Sequence, residues 1–327
     1  MSVGEIRADQ VAAAVERLLP DAAPVRPREP LRKGRSHVSR VLDSGRGPLV
    51  GKVGMAGHSD VVVRRLAEHR RVWEHGVPVP RLLEFSASDD LVDGRLLIVF
   101  EYLPGRDAYD AAGSLSPVAM ERVMAGTGAA LARLHAVPVM TFGDAATGLG
   151  AGSDSWSTTV AVRVELLSRA YREHETDSST SDLVAAGLVL LGALADSVSP
   201  VVRPAVAHLD VCLPNILVDD AGGFRVLLDL EHVRWVDPVM DFVKPAMWMF
   251  EKHPQWAEQF ANGYQTVSEL PQQWPERLAV ASGLELLTGV DYWTRVSDLS
   301  MRDDYLQRLR AWVRSGGAVH GWPSLIV

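Results

Sequence analysis

The chain holds one cysteine, Cys212, in 327 residues. That excludes an intrachain disulfide framework and fits a reducing compartment, so the expected location is cytoplasmic. Lysine is almost as scarce, with four lysines against 29 arginines. A lysine in apolar surroundings is therefore conspicuous here. Asparagine occurs only at Asn215 and Asn262. No long uninterrupted apolar run reads as a membrane span, and the first residues lack a secretion-signal pattern. Net charge is −8, and no basic stretch of the kind that grips nucleic acid is present. The ten histidines include no His-x-x-x-His pair, which argues against a zinc enzyme. Cys212 has no nucleophile-elbow pattern around it, which argues against a Ser or Cys hydrolase. No internal repeat occurs. What remains is a globular chain, 47% hydrophobic and 23% charged, long enough for two lobes with a core each.

The informative stretch is Ala207-His208-Leu209-Asp210-Val211-Cys212-Leu213-Pro214-Asn215-Ile216-Leu217-Val218. It places Asp two residues after His and Asn five further on, and it runs into an apolar strand. Fourteen residues past Asn215, a second apolar run contains Asp229 and Glu231. A hydroxyl acceptor needs a carboxylate to orient it and take its proton. Nucleotide phosphates need a divalent metal held by oxygen ligands such as an Asn amide and a second carboxylate. Asp210, Asn215 and Asp229 supply those parts in the order of kinase catalytic and metal-binding loops. The plain alternative is a turn between strands, where Asp, Pro and Asn are common.

Upstream, Leu49-Val50-Gly51-Lys52-Val53 reads as a strand with one lysine. It is either a phosphate-contacting lysine or a surface lysine guarding an edge strand. From Ser59 to His75, Val62, Leu66, Val72 and Trp73 recur at rough helical spacing. Glu68 lies mid-helix. It either pairs with Lys52, fixing the ammonium toward phosphates, or pairs locally with Arg64, Arg65 or Arg71. The turn around Ser36 has a single glycine, so it is no three-glycine loop, although its hydroxyl and backbone N–H groups suit a phosphate oxygen. The run Leu96 to Gly105 is an apolar strand ending in a Pro-Gly break, with extended backbone suited to a purine edge.

Coarser organisation follows from periodicity. An amphipathic helix falls within residues 1 to 20, and residues 31 to 103 are strand-rich with one helix. A helix runs from Ser116 to His135, and a Gly-, Ala- and Ser-rich loop spans Thr141 to Ser155. Helices follow at 156 to 174 and 181 to 197, then strands at 205 to 235, with a mainly helical remainder. Tryptophans crowd the last third and are expected chiefly in the core, some lining an acceptor pocket.

Taken in order, Gly51-Lys52-Val53, Gly76 to Leu83, Phe100 to Gly105, Leu131 to His135, His208 to Val218, Leu228 to Glu231, Asp237 to Phe242 and Phe260 to Tyr264 resemble the aminoglycoside phosphotransferase family. The resemblance spans roughly residues 30 to 265. It implies an α+β, two-lobed protein-kinase-like fold, with a strand-rich lobe over 1–103 and a mainly helical lobe over 104–327. It also implies ATP or GTP with Mg2+, and transfer of the γ-phosphate to a hydroxyl of a small molecule, often an antibiotic. Carried over by position, Asp210 is the catalytic base, Asn215 and Asp229 the metal ligands, and Lys52 and Glu68 the phosphate-anchoring pair. Glu101 and Leu103 become the purine-facing backbone positions. Glu231 is read as projecting to the opposite face if the strand continues, and so as at most a supporting residue behind the metal ligands.

Two departures stand out. Leu209 replaces the glycine usual between His and Asp, and a side chain there is hard to accommodate if φ is positive. Val211-Cys212-Leu213 makes the acceptor flank unusually apolar. Residues 140 to 200 carry eight acidic groups against three arginines, either a solvated helical face or a device steering a cationic acceptor. The expected acceptor is a sugar hydroxyl of an aminoglycoside, macrolide or nucleoside antibiotic. A metabolic kinase for choline, homoserine or a sugar stays open, as does a non-catalytic nucleotide-binding relative.

Overall fold

An apolar stripe at helical spacing, Val11, Ala14 and Val15, folds as helix α1 (Ala8–Leu18) and is fully buried. It covers one face of an antiparallel sheet ordered β1-β2-β3-β5-β4. The strands are β1 (Arg26–Pro30), β2 (His37–Asp43), β3 (Leu49–Gly54), β4 (Leu82–Asp89) and β5 (Arg95–Glu101), with helix α2 (Ser59–Glu74) between β3 and β4. Side chains alternate across a pleated strand, so β5 serves two cores. Leu97 and Val99 pack toward α1, and Leu96 and Ile98 pack with Leu66 and Val62 of α2. In β3, Leu49 and Val53 join the α1 side. Lys52, one residue out of phase, takes the other face and leads into the cleft. Gly51 lets α1 approach, since a Cβ there would lie 3.2 Å from Val11 Cγ1. The computed structural model describes residues 6–30, 37–54, 59–143, 153–173, 178–318 and 322.

The chain crosses to the second lobe through residues 102–105. There β6 (Arg106–Asp107) pairs with a strand of that lobe rather than with the first sheet. Helices α3 (Ala108–Ala112), α4 (Pro117–His135), α5 (Trp156–Arg172) and α6 (Ser178–Val198) follow. Ser116 caps α4 by accepting from the Ala119 amide, with Pro117 at the first helical position. Strands β7 (Ala205–Ala207), β8 (Ile216–Val218), β9 (Phe224–Leu227) and β10 (Arg234–Val236) form two small sheets, β10-β7 and β6-β8-β9. The remainder is helical: α7 (Val243–Pro245), running into a π turn at Ala246–Phe250, then α8 (Pro254–Gln265), α9 (Trp274–Arg295) and α10 (Leu299–Arg314).

One continuous core joins these helices, with Phe242, Phe250 and Phe260 among its fully buried rings. Helices α4 and α8 touch backbone to backbone. A Cβ at Gly128 would collide with the Phe260 carbonyl, and one at Gly263 with the Ala125 carbonyl. That close crossing sets His135, at the end of α4, against Tyr264 of α8. Helix α6 is long and apolar enough in composition to cross a membrane, with 28% of that span buried; one stripe, Val184, Leu191 and Ala195, packs into the helical core. The fold is α+β, a strand-rich lobe followed by a mainly helical one.

Candidate active site

The loop after β7 is pinned from below. The amides of His208 and Leu209 donate to the two oxygens of buried Asp241, at 2.8 and 2.6 Å. His208 Nε2 donates to the Leu228 carbonyl at 2.8 Å, and its Nδ1 accepts from the Asp210 amide at 3.2 Å. Those bonds select the neutral Nε2–H tautomer. Leu209 has φ +64°, the left-handed conformation that a side chain disfavours by about 1–2 kcal/mol. The carboxylate grip of Asp241 on two successive amides holds the loop there all the same.

This loop presents Asp210 with both oxygens engaged. Lys244 donates to Oδ1 at 2.7 Å and Asn215 Nδ2 to Oδ2 at 2.7 Å. Burial raises the Asp210 carboxyl, but the Lys244 ammonium more than reverses this and holds it below the usual carboxylate range. The Asn215 amide is oriented by its bonds to Asp210, so its Oδ1 is left without a donor among the described residues. A bond from the Leu228 amide to the Asn215 carbonyl, 2.8 Å, sets the Asp229 turn beside it.

Asp229 also has positive φ, +66°, so the strand does not continue past it. The chain enters a tight helical turn at Leu230–His232, and Glu231 lies on the same side as Asp229, the side that residues two apart on a strand would also share. This corrects the expectation that Glu231 faces away. Lys52 Nζ reaches Asp229 Oδ1 at 3.1 Å and Glu231 Oε1 at 3.4 Å, while His37 Nδ1 meets Glu231 at 2.8 Å. Burial opposes ionisation of both Lys52 and Asp229. Their mutual attraction outweighs it, holding the ammonium above and the carboxyl below its ordinary range.

The Lys52–Glu68 pair is not formed, which corrects the sequence expectation. Buried Glu68 takes two bonds from Arg71 and one from Trp235 Nε1 at 3.0 Å. Its carboxylate is saturated by a fork-shaped partner one turn along the same helix, and Lys52 has two closer acids. The local arginine alternative is the one realised. Ser36 lies outside the described residues. Glu101 accepts from the Arg81 amide through Oε1 at 2.7 Å and donates its own amide to Arg81 at 3.0 Å. The backbone of Leu103 has no hydrogen-bond partner among the described residues, so it is open to a ligand.

Hard oxygen donors of the Asn215 and Asp229 type suit Mg2+, which takes one or two protein carboxylates and completes its shell with phosphates and water. The described residues contain no cluster of three His, Cys, Asp or Glu that would make a self-sufficient metal cage. Beneath the loop, Tyr264, His135 and Asp241 form a relay: His135 Nδ1 to Tyr264 Oη is 2.9 Å and Nε2 to Asp241 Oδ2 is 3.0 Å. Three separate sequence segments thus converge to brace the Asp210 loop.

The model of the phosphotransferase enzyme family matches residues 28–279. The chain belongs to that family. Among solved structures, this phosphotransferase is similar to the aminoglycoside phosphotransferase APH(4)-Ia, in the apo form of a thermostable mutant. The TM-score is 0.69 at 16% identity, covering 94% of this chain and 99% of the other. It is also similar to a macrolide 2'-phosphotransferase type I, with TM-score 0.59, 17% identity and coverage of 96% and 99%. A spectinomycin phosphotransferase, APH(9)-Ia, in complex with ADP and spectinomycin, has TM-score 0.61, 12% identity and coverage of 95% and 98%. No curated protein matches. At these identities the structures speak for the fold.

Sequence reading missed Lys244, although its type was a signal: it is one of only four lysines, three residues beyond Asp241. It also missed Glu285 of α9, which bears electrostatically on Lys244 and accepts from the Tyr305 hydroxyl at 2.9 Å. Trp248 and Trp293 flank that tyrosine, with ring centroids 6.1 and 6.3 Å away. Other tryptophans, Trp256, Trp274 and Trp312, are core. Val211 is core as well, so the apolar acceptor flank reduces to Cys212 and Leu213, both half-buried. Burial pushes the Cys212 thiol up to about 12, which keeps it inert. Of the insertion's acids, Asp154, Glu165, Glu173, Asp182 and Asp196 are exposed, with Glu165 tied to Arg169; Asp144, Glu175 and Asp177 lie outside the described residues.

Proposed function

We propose that the protein moves the γ-phosphoryl group of ATP or GTP to a hydroxyl of a small molecule, a sugar hydroxyl of an antibiotic, in the cytoplasm. The observation that carries this reading is the convergence of Lys52, Asp210, Asn215 and Asp229 where the two lobes meet. Asp210 aligns the acceptor hydroxyl and receives its proton. An oxygen–phosphorus bond forms to the acceptor as the bond to the leaving nucleoside diphosphate breaks. The Asp210 carboxyl, held low by Lys244, is a weak base, which suits a loose transition state where proton transfer comes late. Lys52 would turn from Asp229 toward the phosphates, and Asn215 and Asp229 would hold Mg2+, which neutralises phosphate charge. The open backbone at Leu103 suits a purine edge.

Family membership together with the half-buried rings of Trp248 and Trp293, packed on the buried Tyr305 that bonds Glu285, supports an acceptor with apolar surface. Around them Lys244 and Arg308 offset the acids Glu285, Glu251 and Asp304, and this near balance favours macrolide or nucleoside antibiotics over polycationic aminoglycosides. Nucleotide consumption should be measured with ATP and GTP against panels of all three drug classes, beside choline, homoserine and simple sugars. Turnover that depends on an antibiotic supports the reading. Turnover confined to a metabolite moves the protein to metabolism, and failure to bind either nucleotide removes the kinase reading.

A further inference from the structure

We infer that Lys244 is a catalytic residue that binds the phosphoryl group in flight on the acceptor side of Asp210, a role that rests on the phosphoryl-transfer reading above. An ammonium has three N–H donors. Lys244 gives one to Asp210 Oδ1 at 2.7 Å and forms no other hydrogen bond among the described residues. Its side chain is 23% exposed, so the remaining donors are open to the cleft.

Position decides what those donors meet. Asp210 is held on one oxygen by Asn215, on the nucleotide side, and on the other by Lys244. A hydroxyl aligned by Asp210 attacks between them, and the γ-phosphoryl oxygens pass through the same space. Lys52 stands on the far side, beside Asp229 and Glu231, and from there it turns to the nucleotide phosphates rather than to the acceptor side of Asp210. Burial works against charge on Lys244, but the carboxylates of Glu285 and Asp210 keep it protonated above the ordinary lysine range. A point charge on a flexible stem can keep one bond to Asp210 and turn the others to phosphoryl oxygens as negative charge spreads over them. The short α7 delivers the cation from outside the loop, anchored by Asp241 three residues earlier.

A merely structural ion pair would steady Asp210 in every state. A phosphoryl-binding lysine favours the transition state, and an analogue of it separates the two. ADP affinity, or GDP affinity where wild type prefers the guanine nucleotide, should be measured with magnesium, with and without fluoroaluminate, on the wild-type protein and on Lys244→Met, Lys244→Gln and Lys244→Arg. Fluoroaluminate mimics the planar phosphoryl group and needs no acceptor. The expected result is that it tightens ADP binding to wild type by about a hundredfold, within the range of transition-state analogues. Met and Gln should lose at least tenfold of that tightening with ADP affinity itself near wild type, and Arg should recover part of it. Equal tightening in all four proteins, or ADP binding with no fluoroaluminate effect in wild type, overturns the role of Lys244 and leaves the nucleotide reading standing. Binding of neither ADP nor GDP by wild type overturns the nucleotide reading, and the inference with it.

Discussion

The amide of Leu209 donates to Asp241 Oδ1 at 2.6 Å while Leu209 itself stands at φ +64°. A strained residue of this kind persists only where its surroundings over-determine it. Asp241 does so by holding the neighbouring His208 amide and His135 as well. Asp241→Asn replaces one acceptor with a donor inside a fully buried site. The expected cost is about 3 kcal/mol of stability, with activity falling further than Tm alone explains. Chemical denaturation beside initial-rate assays checks this. Leu209→Gly alone should recover about 1 kcal/mol by releasing the left-handed strain, and less on the Asp241→Asn background, where the grip that imposes the strain is weakened; equal recovery on both backgrounds would show that the strain is not held by Asp241.

Asp210→Ala removes the group that orients the acceptor. The expected effect is a fall in kcat of about two orders of magnitude or more, with nucleotide affinity close to wild type. Steady-state kinetics with the acceptor found by the screen provides the measurement, and near-normal turnover sinks the assignment.

Asp229→Asn keeps the shape of the side chain but removes the charge that would hold Mg2+ and that pairs with Lys52 at 3.1 Å. Magnesium titration at fixed nucleotide should show metal-dependent binding in wild type and its loss in the variant, by about tenfold or more in apparent affinity. Unchanged binding removes Asp229 from the site.

Glu68→Gln distinguishes the observed partners from the expected ones. Because Glu68 is buried against Arg71 and Trp235 rather than paired with Lys52, the variant should lose about 1–3 kcal/mol of stability. Its KM for nucleotide should change less than threefold, whereas Lys52→Met should raise it by about tenfold or more. A large KM effect at Glu68 would mean that the Lys52–Glu68 pair forms during turnover.

His69 makes stability depend on pH. Burial is the main cause holding it down, to about 4, against the support of the Pro80 carbonyl at 2.6 Å. Its unfolded value is near 6.5, so between pH 6.5 and 4 the unfolded chain binds the extra proton. Its contribution is complete above pH 6.5 and is lost as pH falls toward 4, on the order of 3 kcal/mol. His69→Gln, which keeps a donor for Pro80, should flatten the stability–pH curve in that window relative to wild type. Parallel curves for the two proteins would refute the linkage.

The sequence by itself determined the elements and the order of the site. Periodicity placed α1, α2 and α4, the strand β5 and the pair α5 and α6 within a few residues, because apolar spacing reports which face is buried. The Asp210, Asn215 and Asp229 spacing was legible because those residues sit in one short loop-strand-turn unit whose geometry is local. Tertiary structure decided what lies far apart in the chain. It gave Lys52 to Asp229 and Glu231 rather than to Glu68, since Arg71 and Trp235 hold Glu68 while both acids of the Asp229 turn face Lys52. It brought Lys244 to Asp210, and His135 and Tyr264 to Asp241, because the close α4–α8 crossing and the short α7 set those distances. Ion pairs go to the nearest geometrically free partner, and only the packed chain says which partner that is.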